Sequence, residues 1–173
     1  MATTLQREFA QKVYAAAKEA TDISPVFVTA QAILETGWGH SRVGRFNLFG
    51  ITRGSNWTGK TVLVKTHEFL ARPDVKFQEP EKVLSVCRIK TGQYYYTVLR
   101  LFKDFDSLQE CLKEHSRLLQ KPGYADAWPY RHDARQFAQR ICNNVGCKYA
   151  TSPNYQVRLL YLISTVEKLC CSK

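Results

Sequence analysis

Glu35 lies in the run Ala30-Gln31-Ala32-Ile33-Leu34-Glu35-Thr36-Gly37-Trp38-Gly39-His40-Ser41, and its setting favours acid chemistry. A carboxylate in the last turn of a helix meets the partial negative charge of that end, which disfavours the ionised form. Apolar neighbours, Trp38 among them, push the pKa higher by desolvation. A carboxyl still protonated near neutral pH is what general acid catalysis requires. Taken alone, Glu35 has a blander reading, the solvated glutamate that most residues at such helix ends are.

The helix that carries it has clear signals. Ser24 is a candidate cap and Pro25 suits the first helical position. Val26, Phe27, Ala30, Ile33 and Leu34 form an apolar stripe at helical spacing. Gly37 and Gly39 end the helix, because glycine adopts the left-handed conformation without strain. An earlier helix over residues 3–21 opens on Thr3-Thr4-Leu5-Gln6, which has capping-box form, and lines one face with Phe9, Val13, Ala16 and Ala20. Small residues on both helices (Ala10, Ala15 to Ala17, Ala30, Ala32) allow close approach around a shared core.

From Trp38 to Lys60 the chain is rich in glycine, and a loop of that length is uncommon unless functional. Its aromatic and amide groups suit sugar, whose C–H faces stack on rings while amides bind hydroxyl and acetamido groups. Phe49 has a second reading, as a plug for the core beneath. Residues 61–66, 83–89 and 94–102 are β-branched or aromatic and partly alternating, which predicts a small antiparallel sheet. Ser107-Leu108-Gln109-Glu110 has capping-box form and opens a helix with His115 on its inner side; Asp133 caps a further helix through Ile141. Ser152-Pro153 starts the last one.

Four segments in order resemble the glucosaminidase domains of glycoside hydrolase family 73, bacterial cell-wall hydrolases with a lysozyme-like fold. They are Ala30 to Ser41; Asn47-Leu48-Phe49-Gly50-Ile51, where Phe46 replaces the usual preceding Asn; Thr66-His67-Glu68; and Tyr149-Ala150-Thr151-Ser152-Pro153-Asn154-Tyr155, where Ser152 replaces Asp. Phe102 to Ser107 follows the pattern with Lys103 for Arg and Phe105 for Tyr, and Tyr124 to Trp128 follows it with Gly123 for Arg.

The resemblance implies an α+β, mainly α, lysozyme-like fold with a small antiparallel β-lobe (about residues 61–105) beside the catalytic cleft, in one domain over 1–173. It implies hydrolysis of the β-1,4 bond between N-acetylglucosamine and N-acetylmuramic acid in peptidoglycan. Glu35 would be the acid. Glu68 would activate water or stabilise an oxazolinium formed by the substrate's own acetamido group. Tyr149 would stand beside the acid, with Trp38, Asn47, Phe49, Tyr124, Trp128 and Tyr155 binding glycan. A lytic transglycosylase on a similar fold, needing Glu35 only, is one alternative; a non-catalytic basic wall-binding domain is another.

Composition narrows the partners. The chain has 173 residues and a formal net charge of +10, which favours polyanions. The basic residues are scattered and no nucleic-acid motif is present, which argues against nucleic acid. The resemblance implies peptidoglycan, whose carboxylates and phosphates suit the charge as well, and a monomer is expected. No apolar run approaches the ~20 residues of a membrane span, and the N-terminus does not read as a signal peptide. The expected place of action is the bacterial wall, periplasmic or extracellular. No cofactor is implied. The four histidines show no zinc-protease spacing, and the six cysteines contain no Cys-x-x-Cys. Those cysteines read as thiols of a reducing compartment or, after export, as disulfides, with Cys142 and Cys147 a candidate pair.

Overall fold

A computed structural model describes residues 2–143, 149 and 154–171. The order is α1 (Thr4–Ala20), α2 (Pro25–Thr36), β1 (Thr61–Leu70), β2 (Lys82–Arg88), β3 (Tyr94–Lys103), α3 (Leu108–Leu119), α4 (Ala134–Asn143) and α5 (Tyr155–Val166). Short 3-10 turns, Pro122–Tyr124 and Trp128–Tyr130, link α3 to α4, and the wider coil Glu167–Cys171 continues α5. The start expected for α5 at Ser152-Pro153 lies outside the described residues.

α2 is the central helix. Phe27, Val28, Thr29, Ala30, Gln31, Ala32, Ile33 and Thr36 are all buried, so it is enclosed nearly all round, with α1, α4 and α5 packed on it. Phe27 meets Phe137 of α4 edge-on at 4.8 Å. Ala10, Ala17, Ala30 and Ala32 are fully buried where α1 and α2 approach, whereas Ala15 faces out. The capping box at Thr3 and Gln6 forms with both reciprocal bonds.

Two helix starts differ from expectation. The Ser24 side chain makes no cap bond; instead its N–H donates to the Arg131 carbonyl at 2.7 Å, tying the start of α2 to the segment just before α4. Ser107 caps Glu110 N–H, but the Glu110 carboxylate accepts from Asp106 N–H rather than closing the box. Asp133 does cap α4, accepting from the N–H groups of Arg135 and Gln136.

The sheet has the order β1-β3-β2, both pairs antiparallel. β1 pairs with β3 without a slip from Thr61↔Lys103 to Leu70↔Tyr94; β2 is irregular between Val83 and Ser85. β1 alternates exposed and half-buried residues, the period of a strand with one covered face. The loop before it is anchored by Asn47, whose amide donates to the carbonyls of Ile51 and Lys103 at 2.9 Å each and accepts from Ile51 N–H.

Candidate active site

Glu35 sits in the last turn of α2, where the chain then takes three left-handed residues in succession: Gly37, Trp38 and Gly39 (φ 56°, 66° and 86°). At Gly39 a side chain is doubly excluded, since a Cβ would also lie 2.6 Å from the Phe9 ring. Trp38 has no such freedom and holds a conformation costly for a large side chain, of the sort found where structure serves a site. Thr36 steadies the turn: its hydroxyl donates to the Ala32 carbonyl and accepts from Gly39 N–H.

The Glu35 residue keeps an exposed edge, yet burial of its carboxyl raises its pKa. Two influences oppose the rise: a hydrogen bond from the Tyr155 hydroxyl, 2.7 Å from Oε1, and the charge of Arg158. Both come from the first turn of α5. The ring of Tyr149 lies 5.8 Å from that of Tyr155 and 6.4 Å from that of Tyr124. Burial, and then the Glu35 charge, push the Tyr149 hydroxyl well above its ordinary value, and Tyr155 is raised by the same two causes. Both phenols are therefore neutral hydrogen-bonding groups.

Glu35, Tyr155, Tyr149 and Tyr124 thus come together. The Tyr155 hydroxyl bonds the acid directly, and Tyr149, which the resemblance set beside the acid, lies close enough for the Glu35 charge to act on it. Trp38 is half-buried against the core, and Trp128 packs edge-on to Phe137 with the Arg131 guanidinium 5.1 Å over its ring. Asn47 and Phe49, expected at the sugar, are 1% and 7% exposed: Asn47 spends its amide on the loop backbone, and Phe49 stacks on His115 at 3.8 Å. Both support the loop from beneath, the second of the two readings for Phe49.

Glu68 belongs to β1, opposite Tyr96 of β3. Its carboxylate accepts from Arg100 Nη1 at 3.1 Å, and Glu81 takes Arg100 Nε at 3.1 Å and Leu101 N–H at 2.8 Å. Phe77 lies under the same guanidinium. Among the described residues no hydrogen bond or ion pair links Glu68 to Glu35.

Sequence reasoning passed over Gln31 and His115. Gln31 Nε2 donates to Tyr155 Oη at 3.0 Å, and Gln31 Oε1 lies 2.7 Å from His115 Nε2. The signal was present: a glutamine one turn before Glu35 in an apolar helix, and a histidine on the inner side of α3.

Thiol chemistry has little support. Burial pushes Cys111 up to about 12 and Cys142 to about 11, away from the thiolate. The Cys142–Cys147 pairing involves a residue outside those described. Among the described residues no group of three or more His, Cys, Asp or Glu is placed to hold a metal, and no helix is long and apolar enough to cross a membrane.

Helices around a central acid-bearing helix, with a three-stranded lobe at the side, define a lysozyme-like glycoside hydrolase. A solved domain of this kind, the glycoside hydrolase domain of FlgJ from Salmonella typhimurium, superposes with a TM-score of 0.68 over 95% of this chain and 89% of that one, at 24% identity. A peptidoglycan hydrolase mutant from Sphingomonas sp. A1 does so with a TM-score of 0.66 over 94% and 97%, at 26% identity. The family model described as mannosyl-glycoprotein endo-beta-N-acetylglucosaminidase matches residues 11–168, and the chain belongs to this glucosaminidase family. A probable N-acetylmuramidase of Lactococcus lactis is 30% identical over 94% of the chain. The chain spans about a third (34%) of that relative's length.

Proposed function

We propose that this domain hydrolyses the glycan strands of peptidoglycan at the β-1,4 bond between N-acetylglucosamine and N-acetylmuramic acid, with Glu35 as the general acid. The observation that carries this is the Tyr155–Glu35 hydrogen bond at a helix end where burial raises the pKa of the carboxyl. Glu35 hands its proton to the bridging oxygen as the bond breaks, and the Tyr155 hydroxyl steadies the carboxylate that remains. Glu68 either activates the attacking water or stabilises an oxazolinium made by the substrate's acetamido group. Closure of the β-lobe brings it to the sugar, as lids complete many catalytic sites. Trp38, Tyr124, Tyr149 and Trp128 flank the glycan, while Asn47 and Phe49 hold the loop in place. The net charge of +10 suits an anionic wall carrying carboxylates and phosphates. The domain acts outside the cytoplasmic membrane, as a monomer.

A second reading has its own support, because the family description names a glucosaminidase and the Lactococcus relative is named for an N-acetylmuramidase. These enzymes cut opposite bonds of the same strand. Purified peptidoglycan is digested, reduced with borohydride and analysed by mass spectrometry. The proposal expects N-acetylglucosaminitol at the new ends. N-acetylmuramitol would assign the other bond, and 1,6-anhydro-muramyl ends would assign a lytic transglycosylase. No new ends at all, with wall binding intact in both wild type and Glu35→Gln, would leave only a binding domain.

A further inference from the structure

Two buried contacts and one part-buried contact join four side chains into one line from the core to the acid. His115 Nε2 meets Gln31 Oε1 at 2.7 Å, Gln31 Nε2 meets Tyr155 Oη at 3.0 Å, and Tyr155 Oη meets Glu35 Oε1 at 2.7 Å. The residues come from α2, α3 and α5, and Gln31 and His115 are fully buried. Gln31 and Glu35 are four residues apart and so share a face of α2.

Such a line has a direction, set by which atoms carry protons. An ionised Glu35 only accepts, so Tyr155 donates to it. Tyr155 then accepts from the Gln31 amide N–H. The Gln31 carbonyl is thereby turned to His115, whose Nε2 must bear the proton. His115 Nδ1 is left as a bare acceptor, and it is a buried atom without a partner. Reversing the line would need Glu35 to donate to Tyr155, Tyr155 to the Gln31 carbonyl, and the Gln31 amide to His115 Nε2. The proton would then sit on Nδ1, a buried N–H with nothing to receive it, and orphaned donors are the rarer case in proteins.

We propose that Gln31 and His115 are positioning residues that hold the Tyr155 hydroxyl as a donor to Glu35, and so set from behind how readily the acid gives up its proton. This rests on the reading of Glu35 as proton donor. Phe49, stacked on the imidazole at 17° between planes, keeps the ring in register. His115 stays neutral throughout, since burial drives it down to about 3. Among the described residues, the other titratable or charged groups acting on Glu35 are Arg158 and the Tyr149 hydroxyl.

The test follows the Glu35 carboxyl itself, by 13C NMR titration of glutamate-labelled protein without substrate, assigned by its absence in Glu35→Gln. Tyr155→Phe removes a bond to the charged form, so the titration moves to higher pH. Gln31→Met moves it the same way by a smaller step, and adds nothing on a Tyr155→Phe background, because it acts through that hydroxyl. His115→Phe moves it upward too, and His115→Gln, which keeps an N–H donor, restores it in part. The upper limb of the kcat/KM profile moves with the titration. An unmoved titration in a folded Gln31→Met protein, or shifts that add in the double variant, would overturn the proposal. Should these variants fail to fold, the 15N spectrum of wild-type His115 decides: Nε2 protonated supports the line as drawn, and Nδ1 protonated contradicts it. The 13C and 15N readouts use no peptidoglycan, unlike the kcat/KM profile, so the relay and the substrate assignment fail separately.

Discussion

The helical body and the β-lobe each hold one of the two carboxylates, in opposite ways. Glu35 is hydrogen-bonded in the body by a neutral phenol, with an amide and an imidazole behind it, and Arg158 acts on it through charge without a hydrogen bond among the described residues. Glu68 is fixed in the lobe by a cation, Arg100, which it shares with Glu81. The body is closed around a buried core. The three strands pack chiefly on one another, and the lobe leaves Leu63, Phe69, Leu84 and Val86 exposed. A carboxyl that must keep a proton is served by apolar burial, while a charged one is served by an ion pair. On the proposed reading the donor sits in the closely packed body and its counterpart in the lobe, whose strands pack chiefly on one another.

The largest effect that would sharpen this contrast is on stability. Phe137→Ala, which opens the buried contact with Phe27, costs about 3–5 kcal/mol in denaturant unfolding. Leu84→Ala on the exposed lobe stays within about 0.5 kcal/mol. Equal losses would break the comparison. Next, Glu68→Gln lowers peptidoglycan turnover about 10²-fold while the titration of Glu35 stays put, measured as new reducing ends beside a 13C titration. A moved Glu35 titration would show that the two carboxylates sense each other at rest.

A pH-dependent effect on stability concerns His115. Its folded pKa of about 3 lies below the ordinary 6.5, so between those values the unfolded chain binds a proton that the folded one refuses. Its stabilisation is complete above about 6.5 and is lost as pH falls toward 3. Denaturant titrations across that window should show a shallower acid loss for His115→Gln than for the wild type. Least in energy is a difference in amide exchange: β2, at a sheet edge, exchanges well before α2.

Much of the frame was legible before any coordinates. Thr3 and Gln6 announce α1, Pro25 and Gly37 bound α2, and β-branched alternation marks β1 and β3, because local rules act there without competition. Where distant groups compete for the same atoms, local rules fail. Ser24 looks like a cap, but its N–H is claimed by Arg131 and its hydroxyl is left aside. Asn47 and Phe49 look outward-facing, yet a loop has no periodicity to say which side chains turn in. That the Tyr155 hydroxyl bonds Glu35 directly depends on how α5 meets α2, which spacing along the chain does not encode. Gln31 and His115 become meaningful only as partners 84 residues apart.

The most direct test of the central claim is digestion of purified peptidoglycan by wild type and Glu35→Gln side by side, counting new reducing ends. The amide keeps the shape of the acid and can still accept from Tyr155, so the variant should melt at the wild-type temperature and lose about 10²–10⁴-fold in rate. Release of ends at the wild-type rate by the folded variant would contradict the account.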